Sequence, residues 1–236
     1  MSEWWTEVQT YRLSDFLMFS ARSYYRQFEL MNRELWPLHL LVLAAGVLLL
    51  AGMLRPRATA SRAAFGVLAL AWAWVGWAYH LQRYADINTG APWFAAGFGM
   101  QAVLLAWMAL RTAAQPAAGV QGRLARFLVI AALAYPLLAP LAGRSLMQAE
   151  VFGLAPDPTV VATFGALLFW RAPWPLWVVP LAWCAISSAT LFELRAAQAW
   201  VFPLLVLLLI AVRCQAVWWP AVFEAKRRAD PDKRHR

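Results

Sequence analysis

Gly66-Val-Leu-Ala-Leu-Ala-Trp-Ala-Trp-Val-Gly-Trp-Ala-Tyr-His80-Leu-Gln-Arg83-Tyr-Ala-Asp-Ile-Asn88 is hydrophobic enough to cross a bilayer and ends in a polar run. Taken as a helix, it sets Gly66, Ala69, Ala73, Gly76 and His80 three and four residues apart, on one stripe. Small residues in such a stripe let another helix approach closely. Trp74 and Trp77 point elsewhere, toward lipid or looser contacts.

The rest of the chain agrees with that reading. Hydrophobic residues make up 62% and charged residues 14% of the 236 positions, well above the roughly 45 to 50% apolar share of soluble domains. The class is an all-α polytopic membrane bundle. Seven apolar segments are expected, at about Trp36–Leu54, Ala64–Ile87, Pro92–Leu110, Leu124–Leu141, Pro158–Trp170, Trp174–Phe192 and Trp200–Val217. Three parts follow: an amphipathic segment over residues 1–35, the seven-helix bundle over 36–219, and a basic tail over 220–236. The two cysteines, Cys184 and Cys214, lie in apolar runs and form neither a disulfide framework nor a Cys-x-x-Cys motif. Residues 1–35 lack the apolar core of a secretory signal, so the first span is expected to serve for targeting.

The net charge of +9 follows topology rather than nucleic acid. With the N-terminus outside, 14 basic and 3 acidic residues face the cytoplasm, against 7 basic and 9 acidic outside. Basic residues favour the cytoplasmic side, which gives an N-out, C-in orientation in a bacterial inner membrane. The tail from Lys226 suits the anionic lipids of the inner leaflet.

Ser14 and Asp15 are expected to cap a helix running to Glu34. On it Arg22, Arg26, Glu29 and Arg33 oppose Tyr24, Phe28 and Met31. Such a helix lies on the outer membrane face or forms a lid over the bundle. In the third span Gln101 needs an amide partner. Pro136 and Pro140 bend the fourth. The fifth, at Thr159–Trp170, rises only about 18 Å. Ser187, Ser188 and Thr190 add hydroxyls near the outer end of the sixth.

Phe152-Gly-Leu-Ala-Pro-Asp-Pro-Thr-Val-Val-Ala-Thr-Phe-Gly165, with Tyr135-Pro136-Leu137-Leu138 and Tyr11-Arg-Leu-Ser-Asp-Phe16, resembles a family of bacterial polytopic membrane proteins known only as a domain of unknown function. The family motif, Phe-Gly-Leu-Pro-Cys-Pro-Thr, is altered here. Asp157 stands in place of the cysteine, Ala155 is an insertion, and Gly143-Arg144 replaces a Gly-His pair. The resemblance implies a membrane fold and a bacterial origin, and supplies no activity.

Candidate sites gather toward the outer side. His80, Arg83, Glu150 and Asp157 are the candidate solute-binding residues of an outward-facing vestibule. Asp157 before Pro158 also reads as a helix N-cap with proline at the first helical position. His39 and His80 are weak candidates for a metal or for a haem between the first two spans. No other cofactor is expected, and the retinal-protein class is excluded because the only lysines are Lys226 and Lys233 in the tail. Gly66, Ala69, Ala73 and Gly76 are the candidate packing stripe.

Three function classes emerge. The first is binding or facilitative transport of a small solute. The second is a non-catalytic subunit or assembly factor, using the stripe against a partner or a second copy. The third is a metal- or haem-dependent membrane enzyme, which lacks a recognisable motif. The expected partners are the bilayer itself and a companion membrane protein or second copy, with no nucleic acid.

Overall fold

The shortest apolar segment is the one the other helices surround. In the computed structural model, which describes residues 19–111 and 115–212, helix Pro156–Phe169 is buried along all 14 residues. Eight helices are present among the described residues: α1 Ala21–Glu34, α2 Leu38–Leu54, α3 Ala58–Trp74, α4 Ala91–Leu110, α5 Gly119–Ala134, α6 Pro156–Phe169, α7 Pro175–Glu193 and α8 Ala197–Val212. The fold is an all-α polytopic membrane bundle, with one helix for each apolar segment of the sequence behind an N-terminal amphipathic helix.

Helix α6 is about 21 Å long at 1.5 Å per residue, short of the roughly 30 Å hydrocarbon core. It is sheathed by α3, α5 and α7. The closest approach is to α5, and Gly165 permits it. A Cβ there would lie 2.7 Å from the Ala125 carbonyl oxygen and 2.7 Å from Val129 Cγ2. Helix α5 buries Gly122, Ala125, Val129 and Ala132 at helical spacing toward this contact. It then tightens into a 3-10 turn at Tyr135–Leu137 and a last turn at Leu138–Leu141, the bend that Pro136 and Pro140 predict.

Around this centre, α3, α4, α5 and α7 are long and apolar enough to cross a membrane. Helix α4 buries Ala91, Ala95, Phe98, Ala102 and Leu105 on one face. Gln101 finds its partner there, donating through Nε2 to the Leu176 carbonyl at 3.0 Å. Helix α7, with Pro180 inside it, buries Leu176, Pro180, Trp183, Ser187 and Leu191. Helix α2 is apolar all round and buries only Gly46, Leu49 and Met53. Its exposed Leu40, Leu41, Val47 and Leu48 are lipid-facing.

The N-terminal helix begins later than expected. Ser20, not Ser14 or Asp15, is the N-cap, its Oγ accepting the Ser23 N–H at 3.2 Å. Ser14, Asp15, and the basic tail lie outside the described residues. Helix α1 turns 96° into α2, so the pair is one broken span or a re-entrant element. Its Tyr24, Phe28 and Met31 are buried in the same core as the bundle. Phe28 stacks on Tyr79 at 5.4 Å between ring centroids. Thus α1 closes the end of the bundle where α3 and α6 meet the 142–155 loop.

Helix α3 does not stay α-helical to its end. Val75–Leu81 is a π-helix, followed by a 3-10 turn at Tyr84–Asp86. Ala78, Tyr79 and His80 are all buried in succession, because Tyr79 lies under α1 while His80 turns toward α7. π-Helical insertions of this kind recur at functional sites.

Candidate functional site

Pro156 opens α6 with its fixed φ, and Ala155 occupies the N-cap position with no side-chain bond. The capping expected of Asp157 is therefore not what its side chain does. Asp157 is fully buried. Its Oδ1 accepts Trp183 Nε1–H at 2.8 Å and Ser187 Oγ–H at 3.0 Å. Its Oδ2 accepts Ser187 Oγ–H at 2.9 Å and the Tyr135 hydroxyl at 3.4 Å. Thr159, one turn along α6, ties the preceding turn instead. It accepts the Gly153 N–H at 2.9 Å and donates to the Ala155 carbonyl at 2.7 Å.

The carboxylate is deeper than its place next to a loop implies. Trp183 stands at the middle of α7, and Ser187 is six residues, or about 9 Å, short of the end of that helix at Glu193. The Asp157 carboxylate is thus buried against the middle of α7. Ser187 and Trp183 are one turn apart on one face of α7. In the sequence Tyr135 stands out only within the Tyr135–Leu138 stretch that carries the family resemblance.

Glu150 is also buried, at 3% exposure, and its Oε2 has no hydrogen-bond partner. Burial raises its carboxyl well above the ordinary value of 4.5; Asp157 nearby raises it further, against the opposing pull of Arg144. Arg144 is committed elsewhere. It donates to the Gln148 carbonyl at 3.2 Å and lies 3.8 Å from the centre of the Tyr25 ring. Among the described residues neither Asp157 nor Glu150 is in an ion pair.

His80 is fully buried, with no hydrogen bond at either ring nitrogen. Its ring is 4.5 Å from Phe98, 5.0 Å from Trp183 and from Tyr79, and 5.9 Å from Tyr84 and Phe94, measured between centroids. The Trp183 indole therefore touches His80 and donates to Asp157. Arg83 does not reach into water as a free guanidinium. It bonds the Ala78 carbonyl at 2.6 Å and Glu34 of α1 at 2.8 Å, tying the end of α3 to α1. Further bonds hold α1 down. Gln27 donates to Tyr79 Oη, and Asn32 Nδ2 to the carbonyls of Met147 and Ala149, both at 2.8 Å.

His39 and His80 have separate surroundings. His39 Nε2 bonds Asn32 Oδ1 at 3.0 Å. Among the described residues no group of three or more His, Cys, Asp and Glu side chains is placed to hold a metal ion. The small-residue stripe divides in two. A Cβ on Gly76 would come within 3.2 Å of Phe98 Cβ, so Gly76 belongs to the α3–α4 contact, and Ala69 is buried. Ala73 is exposed and Gly66 has open space beside it.

A cleft of about 310 Å³ opens between Phe19, Ser20 and Ser23 at the start of α1 and the Ala85–Thr89 turn. Tyr84 joins it to the buried site, since its ring packs on Phe19 at 5.7 Å and on His80. No curated protein and no solved structure matches the chain. A family profile does, over residues 21–222, and the chain belongs to that family, a family of unknown function (DUF6064).

Proposed function

We propose that this protein binds a small polar solute at Asp157, in a closed site under α1, and senses it or passes it across the membrane by facilitation. The observation that carries this reading is the fully buried carboxylate gripped by donors of α5 and α7 with no basic side chain paired to it. Buried charge is kept in proteins where it is paired or put to use. The cleft beside Tyr84 supports a way in, and the α1 clasp of Arg83 and Glu34 supports a lid that opens. In this reading the α1 end faces the periplasm of a bacterial inner membrane and the C-terminal tail lies on anionic lipid in the cytoplasm.

The test is thermal stability of the purified protein against a panel of small polar solutes. At least one should raise the melting temperature saturably, and Asp157→Asn should abolish that rise. Uptake into sealed vesicles then separates passage from sensing. A panel without any stabilising solute would sink the reading.

A second reading, a non-catalytic subunit, is favoured by the open flank of α3 at Gly66 and Ala73. Crosslinking of Gly66→Leu against wild type tests it. Gly76→Leu does not, because that side chain would collide inside the bundle.

A further inference from the structure

We propose that the solute is an organic cation, a small alkylammonium headgroup, and that its seat is the ring of aromatic side chains now filled by His80, joined to Asp157 through the Trp183 indole. This deepens the solute-binding reading and rests on it.

The buried carboxylate has no basic partner. Asp157 is fully buried, while Arg83 and Arg144 are committed to Glu34, to backbone carbonyls and to the Tyr25 ring. An anionic solute would meet that carboxylate, whereas a cation would supply the missing counter-charge. The surroundings select the kind of cation. Trp183, Phe98, Phe94, Tyr84 and Tyr79 encircle one position, and aromatic rings are the usual lining for ammonium groups. An alkali or alkaline-earth ion needs six or so oxygen ligands, which those five rings do not offer.

His80 occupies that position without earning a hydrogen bond there, since both its nitrogens are unpartnered in full burial. Such a group is costly to keep. It is also mounted on something able to move it. The Val75–Leu81 segment is π-helical, and its return to an α-helical register would turn His80 by one residue, about 100° around the axis. The ring would leave the cage and the Trp183–Asp157 pair would remain.

The experiment uses the full chain purified in detergent and three probes at matched ionic strength: choline, its neutral isostere 3,3-dimethylbutan-1-ol, and sodium chloride. Choline should raise the melting temperature saturably and the other two should not. Asp157→Asn should abolish the choline response, and Phe98→Leu should raise the half-saturating choline concentration about tenfold. His80→Phe, which fills the cage permanently with an apolar ring, should keep or raise the basal melting temperature and remove the choline response. Equal shifts from choline and the neutral alcohol would overturn the cationic assignment while leaving solute binding intact. No choline response alongside stabilisation by a neutral or anionic solute would do the same. Failure of every probe and of the wider panel would remove both. A choline response unchanged in all three variants would place binding elsewhere and overturn the site.

Discussion

At the scale of single residues, two carboxyl groups in adjoining environments behave differently. Asp157 is gripped by Trp183, Ser187 and Tyr135, so truncation strands three buried donors. Asp157→Ala should cost about 3 kcal/mol, and Asp157→Asn less because it keeps an acceptor for the indole; denaturant titration in detergent reads both. Glu150 Oε2 has no such partner. Its proton is held more tightly when folded than when unfolded, so its contribution to stability is complete below about pH 4.5 and is lost as pH rises through the folded value. Stability of the wild type should therefore fall with rising pH across that window. Glu150→Gln should flatten the profile and be the more stable protein at alkaline pH, which melting curves at several pH values will show. The list of polar residues was legible in the sequence, but their grouping was not. Asp157, Glu150 and His80 stood out as polar insertions. Ser187 reads there only as one of three hydroxyls on its span and Trp183 as one apolar ring among many, because tryptophans and hydroxyls in membrane helices are common for structural reasons alone.

At the scale of elements, the glycines of α3 and α6 separate packing from free surface. Gly165 faces a backbone carbonyl that cannot yield, and Gly165→Ala should destabilise by about 1 to 3 kcal/mol. Gly66→Ala meets nothing and should stabilise by roughly 0.5 to 1 kcal/mol through helix propensity. The ordering of the two variants by thermal melt checks the α5–α6 contact. Every apolar segment of the sequence is a helix, because twenty-odd apolar residues have no other way to satisfy their backbone in lipid. The π-helical end of α3 was not legible. A period of 3.6 runs the Gly66–Gly76 stripe straight through Val75, whereas the structure changes register there, where Gly76 meets α4. The start of α1 was also misplaced, since Ser14, Asp15 and Ser20 are equally good caps by type and tertiary packing of Tyr24 and Phe28 decides between them.

At the scale of the molecule, the architecture is a sheath around a short axis. Helices α3, α4, α5 and α7 are long and apolar enough to cross a membrane, and α6 among them is buried along its whole length. Cysteine labelling tests this directly. In a Cys214→Ser background, native Cys184 and an introduced Val161→Cys should resist a lipid-soluble maleimide until the protein is denatured, while Leu48→Cys should react at once. A sequence shows that the fifth segment is short, but burial on all sides depends on which helices flank it, and that is set by contacts between residues far apart in the chain.

The paired bonds from Asn32 to the carbonyls of Met147 and Ala149 bear on how the protein is made. Asn32 leaves the ribosome more than a hundred residues before either acceptor does, so these two bonds close long after Phe28 can meet Tyr79 and Glu34 can meet Arg83. The cap on the bundle is translated first and fastened in two stages, to the end of α3 early and to the 142–155 loop late.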